Sequence, residues 1–176
     1  MFRKNIIITG ATGLLGSYFF KKYKSKYKII KYPYRIEKYN KFQNWISNKK
    51  FDFFIHFASI TNNNKSNLKK INLINVKSTI NLLRSIHKKN IKNFKYFLFI
   101  STSHVYGFSK NKIKENKKRV PYSAYGNSKK KVEDFIIDNR NKFFFKIGIA
   151  RIFNITGPKQ RDGYFIPDII KKIRNE

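Results

Sequence analysis

The sequence predicts an α/β fold, a doubly wound parallel sheet with helices on both faces. Three observations predict it. The chain opens on a β-branched run that ends in a glycine-rich turn, TGATGLLG, Thr9 to Gly16. Short apolar runs then alternate with longer segments of helical spacing, which implies βαβ units and a parallel sheet. Right-handed crossovers complete the doubly wound arrangement. Finally, 176 residues with 41% hydrophobic content fit one domain with a substantial core.

The elements follow in order. Asn5-Ile6-Ile7-Ile8-Thr9 reads as a buried parallel strand. A helix carries Leu14, Leu15, Tyr18, Phe19 and Tyr23 at helical spacing. Lys28 to Tyr32 is a second strand, stopped by Pro33, and residues 38–48 form a short helix around Trp45. Phe51 to Phe57 is a third strand. Residues 67–89 read as one long helix, with Leu68, Ile71, Ile74, Ile80, Leu83 and Ile86 on its apolar side. Tyr96 to Ser101 and Lys146 to Ile152 are strands, separated by a helix over 123–139. A last helix begins near Ile166 and runs to Arg174. Asn62 to Asn64 and Lys110 to Arg119 are polar loops, and there are no internal repeats.

Composition excludes several function classes. There are no cysteines, so disulfides and thiolate metal sites are ruled out, and no metal site is expected. The formal net charge is +31. Such a charge points to nucleic acid, anionic membranes or anionic substrates when it is clustered. Here it is mostly Lys and spread along the chain, with abundant Asn, Ile, Phe and Tyr, as A/T-rich codons would specify. A nucleic-acid reader more often uses Arg. Nucleic acid is therefore an unlikely partner. No stretch approaches the roughly 20 apolar residues of a membrane span, and the short apolar run after Met1 is no signal-peptide core. The chain reads as cytoplasmic.

The glycine turn sets the frame. Gly10 permits the strand-to-helix turn, Gly13 lets the backbone approach a pyrophosphate, and Gly16 lets the helix pack close to the sheet. The following helix offers N–H groups and a positive dipole end to phosphates. With a strand before and a helix after, this marks a Rossmann-type dinucleotide site. Thr12, Leu14 and Leu15 complete its loop.

The segment resembles the cofactor loop of the extended short-chain dehydrogenase/reductases, the NAD-dependent epimerase/dehydratase family. Four later segments fall in that family's order: HFAS (56–59), NVKSTINLL (75–83), ISTSHVYG (100–107) and ARIFNITGPKQ (150–160). The resemblance implies that Phe57, Ala58 and Ser59 face the cofactor. It implies a tyrosine/lysine pair at the start of the helix after the fourth long strand segment. Five Tyr-x-x-x-Lys pairs occur in the chain, at Tyr18/Lys22, Tyr27/Lys31, Tyr34/Lys38, Tyr106/Lys110 and Tyr125/Lys129. Only Tyr125/Lys129 has that position.

A lysine beside a phenol favours the phenolate, so the Tyr125 pKa is expected below its usual value near 10. The phenol then exchanges a proton with a sugar hydroxyl. By resemblance, Lys129 also holds the nicotinamide ribose and Thr102 hydrogen-bonds the reacting oxygen, with Ser103 as the alternative. Asn154 matches a position that holds a substrate diphosphate. Ser103 and His104 stand where 4,6-dehydratases carry an acidic pair or a final Glu, which argues against dehydration. His104 is either an extra proton donor or a structural residue.

The implied activity is NAD(P)-dependent epimerisation or 4-keto reduction of a nucleotide-activated sugar. The alternatives are a non-catalytic dinucleotide-binding module, an inactive fragment of such an enzyme and, weakest, a basic RNA-binding protein. No acid ends the second strand, and Arg35 and Lys31 lie nearby, so the cofactor choice between NAD and NADP tilts to NADP, with Glu37 a late substitute for the missing acid. The family usually runs well past 176 residues, so residues 1–176 read as a single, C-terminally truncated NAD(P)-binding domain. A homodimer through helices 67–89 and 123–139 is expected from the same resemblance.

Overall fold

β1 (Asn5–Thr9) lies inside a five-stranded sheet. The computed structural model describes residues 3–61, 68–158, 160 and 162–175. After β1 come α1 (Leu14–Tyr23), β2 (Lys28–Lys31), α2 (Tyr39–Ser47) and β3 (Phe53–His56). They are followed by α3 (Leu68–Ile71), a π-helical turn (Asn72–Lys77) and α4 (Ser78–Lys89). β4 (Tyr96–Thr102), a 3-10 turn (Ser103–Tyr106), α5 (Ala124–Asn139), β5 (Lys146–Ile152) and α6 (Phe165–Arg174) complete the order. All strand pairs are parallel, in the order β2-β1-β3-β4-β5. The expected doubly wound sheet is therefore what the chain builds.

Alternation along β1 explains why both faces need cover. Ile7 points into one apolar layer with Phe54, Phe97 and Phe99, beneath Phe42, Ile46, Leu83, Ile86 and Val132 of the helices. Ile6 and Ile8 point the other way, with Ile55, and meet Phe19 and Phe20 of α1. Successive strand residues face opposite sides, so a run of three isoleucines suits a strand buried on both. Phenylalanine fills the first layer. Phe54 and Phe97 stack with ring centroids 5.2 Å apart. Burying each such ring stabilises the fold by about 1.5–3 kcal/mol.

Two polar ties cross this apolar layer. The imidazole of His56, fully buried, hydrogen-bonds Thr9 Oγ1 at 2.8 Å and Thr79 Oγ1 at 3.0 Å. It thereby links β1, β3 and α4. Its ring lies between Phe97 and Phe99. Burial, and then the positive charge of Lys129, lower its pKa to about 3.

The long helix expected over 67–89 is interrupted. Residue 67, like Asn62 to Asn64, lies outside the described residues. From Leu68 the helix widens to a π turn at Asn72–Lys77 before resuming. Such a turn adds one residue per ring and redirects a side chain. Here the redirected group is Asn75, which donates to Ile60 O at 2.9 Å and accepts from Ile60 N at 2.8 Å. Hydrophobic spacing could not show this, because Ile71, Ile74 and Leu83 stay buried or facing the core on either side of the break. α4 ends at Asn90, which takes the left-handed conformation with φ 43°.

Stability should depend on acid through His56. Its folded pKa is near 3 against 6.5 in the unfolded chain. Between those values the unfolded chain binds the extra proton, so stability falls as pH falls from about 6.5 towards 3. Urea unfolding across that window should show a loss of a few kcal/mol, much reduced in His56→Gln. An equal loss in the variant would mean that other groups carry it.

Candidate active site

The turn from β1 to α1 is built on close backbone approach. Gly10 has φ +67°, and a Cβ there would meet Ala58 N at 2.6 Å. Only glycine accepts both the conformation and the contact. A Cβ on Gly16 would collide with Gly10 O, so α1 sits as near to the turn as a glycine allows. Gly13 is different. Its φ is −73°, and an added Cβ would meet nothing closer than Gly10 O at 3.4 Å. The fold alone does not require glycine at 13. Gly13 is also the N-cap of α1, and no side chain caps the helix. Thr12 stands exposed in the turn, and Leu14 and Leu15 begin the helix. Among the described residues no side chain takes up the N–H groups of this first turn, which lie at the positive dipole end.

The ends of β2 and β3 flank the turn. Arg35 is exposed and donates from Nε to Glu37 Oε1 at 2.7 Å. The sequence offered these two residues as rival contacts to a ribose, and the structure pairs them. The Tyr32 hydroxyl, at the end of β2, is buried without a hydrogen-bond partner among the described residues. Beyond β3, the Phe57 ring packs on Phe19 at 5.6 Å, which turns its side chain to α1. Ala58 N donates to Thr9 Oγ1 at 3.3 Å.

α5 supplies the tyrosine and lysine. Ser123 caps it, its Oγ accepting from Gly126 N at 3.0 Å. Lys129 is only 2% exposed. Its Nζ donates to Ile100 O at 2.8 Å and lies 4.7 Å from the Phe99 ring centre and 5.8 Å from that of Tyr125. Burial lowers the lysine pKa to about 7, against an upward pull from Glu133.

The tyrosine departs from expectation. Burial raises the Tyr125 pKa, and the hydroxyls of Thr102 and Ser59 offset that only in part. The expected lowering by the lysine is not what this environment produces. The phenol is therefore the proton-bearing form at neutral pH. The same contacts place three hydroxyls together, those of Tyr125, Thr102 and Ser59. Apart from that contact with Tyr125, Ser59 Oγ is buried with no hydrogen-bond partner among the described residues.

The remaining candidates sit around this cluster. Thr102 ends β4 and its Oγ1 accepts from His104 N at 3.3 Å. Ser103 opens the 3-10 turn that follows, and is half-buried. His104 stacks on Tyr122 at 6.0 Å and meets the Tyr125 ring edge-on at 5.8 Å. Its Nδ1 is buried with no partner among the described residues. Asn154 lies exposed in the segment after β5. Sequence reasoning missed Asn75, which also donates to Ser128 Oγ at 3.0 Å, and the buried acid Glu133. The signal for Glu133 was available: it stands four residues beyond Lys129, on the same face of the helix.

Among the described residues, no helix is long and apolar enough to cross a membrane. None of them forms a group of three or more His, Asp or Glu able to hold a metal ion.

Comparison with known proteins agrees with this fold. The chain is 28% identical over 130 residues to the human dTDP-D-glucose 4,6-dehydratase, covering 72% of this chain and 36% of that one. It is 27% identical over 172 residues to the GDP-6-deoxy-D-talose 4-dehydrogenase of Aggregatibacter actinomycetemcomitans, covering 94% and 58% respectively. The chain thus spans less than two thirds of either relative. In structure it resembles the UDP-N-acetylglucosamine 4-epimerase from Methanobrevibacter ruminantium M1 in complex with UDP-N-acetylmuramic acid. That likeness has a TM-score of 0.85 at 21% identity over 99% of this chain and 64% of the other. RMD from Pseudomonas aeruginosa complexed with NADPH matches with a TM-score of 0.83 at 24% identity, over 97% and 61%. Residues 6–176 match the model of the NAD dependent epimerase/dehydratase family, and the chain belongs to that family.

Proposed function

We propose that the chain carries the cofactor and proton-transfer part of an NAD(P)-dependent epimerase or 4-keto reductase acting on a nucleotide-linked sugar. One observation carries the reading. The hydroxyls of Tyr125, Thr102 and Ser59 meet beyond the C-terminal ends of β3 and β4, the sheet edge that also holds the Gly10–Gly16 turn. Ligands of open α/β sheets bind at that edge.

The residues suit a dinucleotide. The uncapped α1 terminus and the unneeded glycine at 13 leave room for a pyrophosphate, and among the described residues the buried Ser59 hydroxyl contacts only Tyr125. When bound, the nicotinamide supplies the acceptor or donor of a hydride at a sugar carbon. The Tyr125 O–H then gives its proton to a keto oxygen, or its phenolate takes one from an alcohol. Thr102 hydrogen-bonds the same oxygen. Lys129, with Nζ 5.8 Å from the Tyr125 ring centre, steadies the phenolate and holds a ribose hydroxyl. Ser103 and His104 follow Thr102, without the acid that dehydration needs, which favours epimerisation or reduction. Arg35 offers a guanidinium to a 2′-phosphate and tilts the cofactor to NADP. Asn154 contacts the substrate diphosphate. Two copies pair through the helical segment 68–89 and α5, giving a homodimer.

Titration with NADPH and with NADH, read by Trp45 quenching, tests the reading directly. Saturable binding is expected, tighter for NADPH; no binding of either would sink it. Gly13→Ala should keep the thermal midpoint yet weaken that binding by at least about tenfold, ~1.4 kcal/mol. Gly16→Ala should lower the thermal midpoint instead. Tyr125→Phe should retain cofactor affinity but lose about 10²–10⁴-fold in hydride transfer to or from a nucleotide-linked sugar. Unchanged transfer would take the acid–base role from Tyr125, and cofactor binding with no transfer in the wild-type chain would favour a binding module over an enzyme. Light scattering at micromolar concentration should give the mass of a dimer, and a monomeric mass would remove that element.

A further inference from the structure

Glu133 is fully buried, yet the proton transfer above makes no use of it. Its carboxylate accepts hydrogen bonds from three elements. Ser101 Oγ reaches Oε1 from β4. Arg151, on β5, donates from Nε at 3.1 Å and from Nη2 at 2.8 Å. Arg119, on the segment between the 3-10 turn and α5, donates from Nη1 at 3.0 Å. Arg151 continues outward to the Tyr106 hydroxyl and to Glu115 O, each at 2.7 Å. Arg119 continues to Asp134 at 2.7 Å. A buried carboxylate is tolerated only when paired and hydrogen-bonded, and this one is paired on every side shown.

The placement follows a simple repeat. Tyr125, Lys129 and Glu133 are spaced by four, so they share one face of α5. Each meets a residue at the end of β4: Tyr125 the Thr102 hydroxyl, Lys129 the Ile100 carbonyl, Glu133 the Ser101 hydroxyl. The three rungs fix the helix on the strand at the point where the acid–base groups must align. Among the described residues, Glu133 also supplies the negative charge that raises the Lys129 pKa against burial. The other groups that face Lys129 are His56 from β3, neutral, and Tyr125 on its own helix. Arg119 and Arg151 both pair with Glu133 Oε2, at 3.0 and 2.8 Å.

We propose that Glu133 is a positioning residue of the site, the clamp that registers α5 on the end of β4 and the buried counter-charge of Lys129. The two arginines set how much of that charge the lysine feels. Ser101 couples it to the neighbouring Thr102. The inference deepens the proposed function and rests on it for the task of Lys129.

Lysine side-chain NMR titration of the whole chain tests it without any cofactor, the Lys129 signal being assigned by its loss in Lys129→Met. The wild-type midpoint is expected near 7. Glu133→Gln should lower it by on the order of one pH unit, because the ammonium loses its opposite charge. Arg119→Gln should raise it, because Glu133 loses a competitor while Arg151 keeps it in place. A merely structural glutamate would change thermal stability and leave both midpoints alone. If Glu133→Gln fails to fold, the upward shift in Arg119→Gln still decides. Unmoved midpoints, or a downward shift in Arg119→Gln, would overturn the proposal. Failure of the wild-type chain to bind NADPH or NADH would count against the proposed function instead.

Discussion

The contact between Gly10 and Gly16 governs how the site is assembled. α1 can rest against the end of β1 only because Gly16 has no side chain, and the turn can rest against Ala58 only because Gly10 has none. That approach brings the helix terminus level with the carboxyl end of β3, where Ala58 N lies within reach of both Gly10 and Thr9. A helix displaced by one methyl group would carry its first N–H groups away from the sheet edge. The β3 end, the turn and the helix terminus are therefore one unit. Everything placed at that edge inherits its geometry.

Beneath that edge the chain uses buried polar groups as fasteners in a core of phenylalanine and isoleucine. Ring stacking such as Phe54 on Phe97 is strong in total but weakly directional. A flat apolar layer can slide. His56, Asn75 and Glu133 each bind more than one segment through directional hydrogen bonds, and such bonds, once buried, are costly to leave unmade. His56 joins strands to α4, Asn75 joins the π turn to the β3 exit and to α5, and Glu133 joins α5 to β4 and β5. Asn75 holds Ile60, next to Ser59, and Glu133 holds Ser101, next to Thr102. A diffuse positive charge on the surface and a specific polar skeleton inside coexist in one sequence.

The division between what the sequence displayed and what it hid has a physical cause. Three isoleucines before a glycine turn display a strand buried on both faces, since local pattern and tertiary environment ask for the same residues. Five Tyr-x-x-x-Lys pairs carry no distinction in spacing, and only the family resemblance singles out Tyr125/Lys129, by its place after β4. Element boundaries moved by a residue or two where the last ladder bonds decide them, as at Tyr32, whose N–H still bonds Ile8 O beyond the end of β2. The π turn was hidden because a bulge keeps apolar residues on the buried side. The 3-10 turn at Ser103–Tyr106 was hidden because a few residues carry no period. The Glu133 cluster was hidden because its partners Ser101, Arg119 and Arg151 are scattered along the chain. The pairing of Arg35 with Glu37 shows the same limit at short range: spacing brought both to the β2 end, but only geometry puts one on the other.

The direction of the two pKa shifts at the centre explains why the lysine needs such support. Burial pushes Lys129 towards neutrality by lowering its pKa, and pushes Tyr125 towards neutrality by raising its own. Left alone, the low-dielectric pocket would hold two uncharged groups with little leverage on each other. A lysine whose pKa has fallen to about 7 is half charged near neutral pH, so a modest change of nearby charge moves its population most. A fully solvated lysine would be charged throughout and would respond to nothing. The same burial that makes the ammonium expensive thus makes it responsive, to a phenol losing its proton on one side and to an acid on the other. A phenol that keeps its proton until charge arrives beside it is suited to give that proton to an oxygen that needs it. The cost of burying the pair is the source of its usefulness.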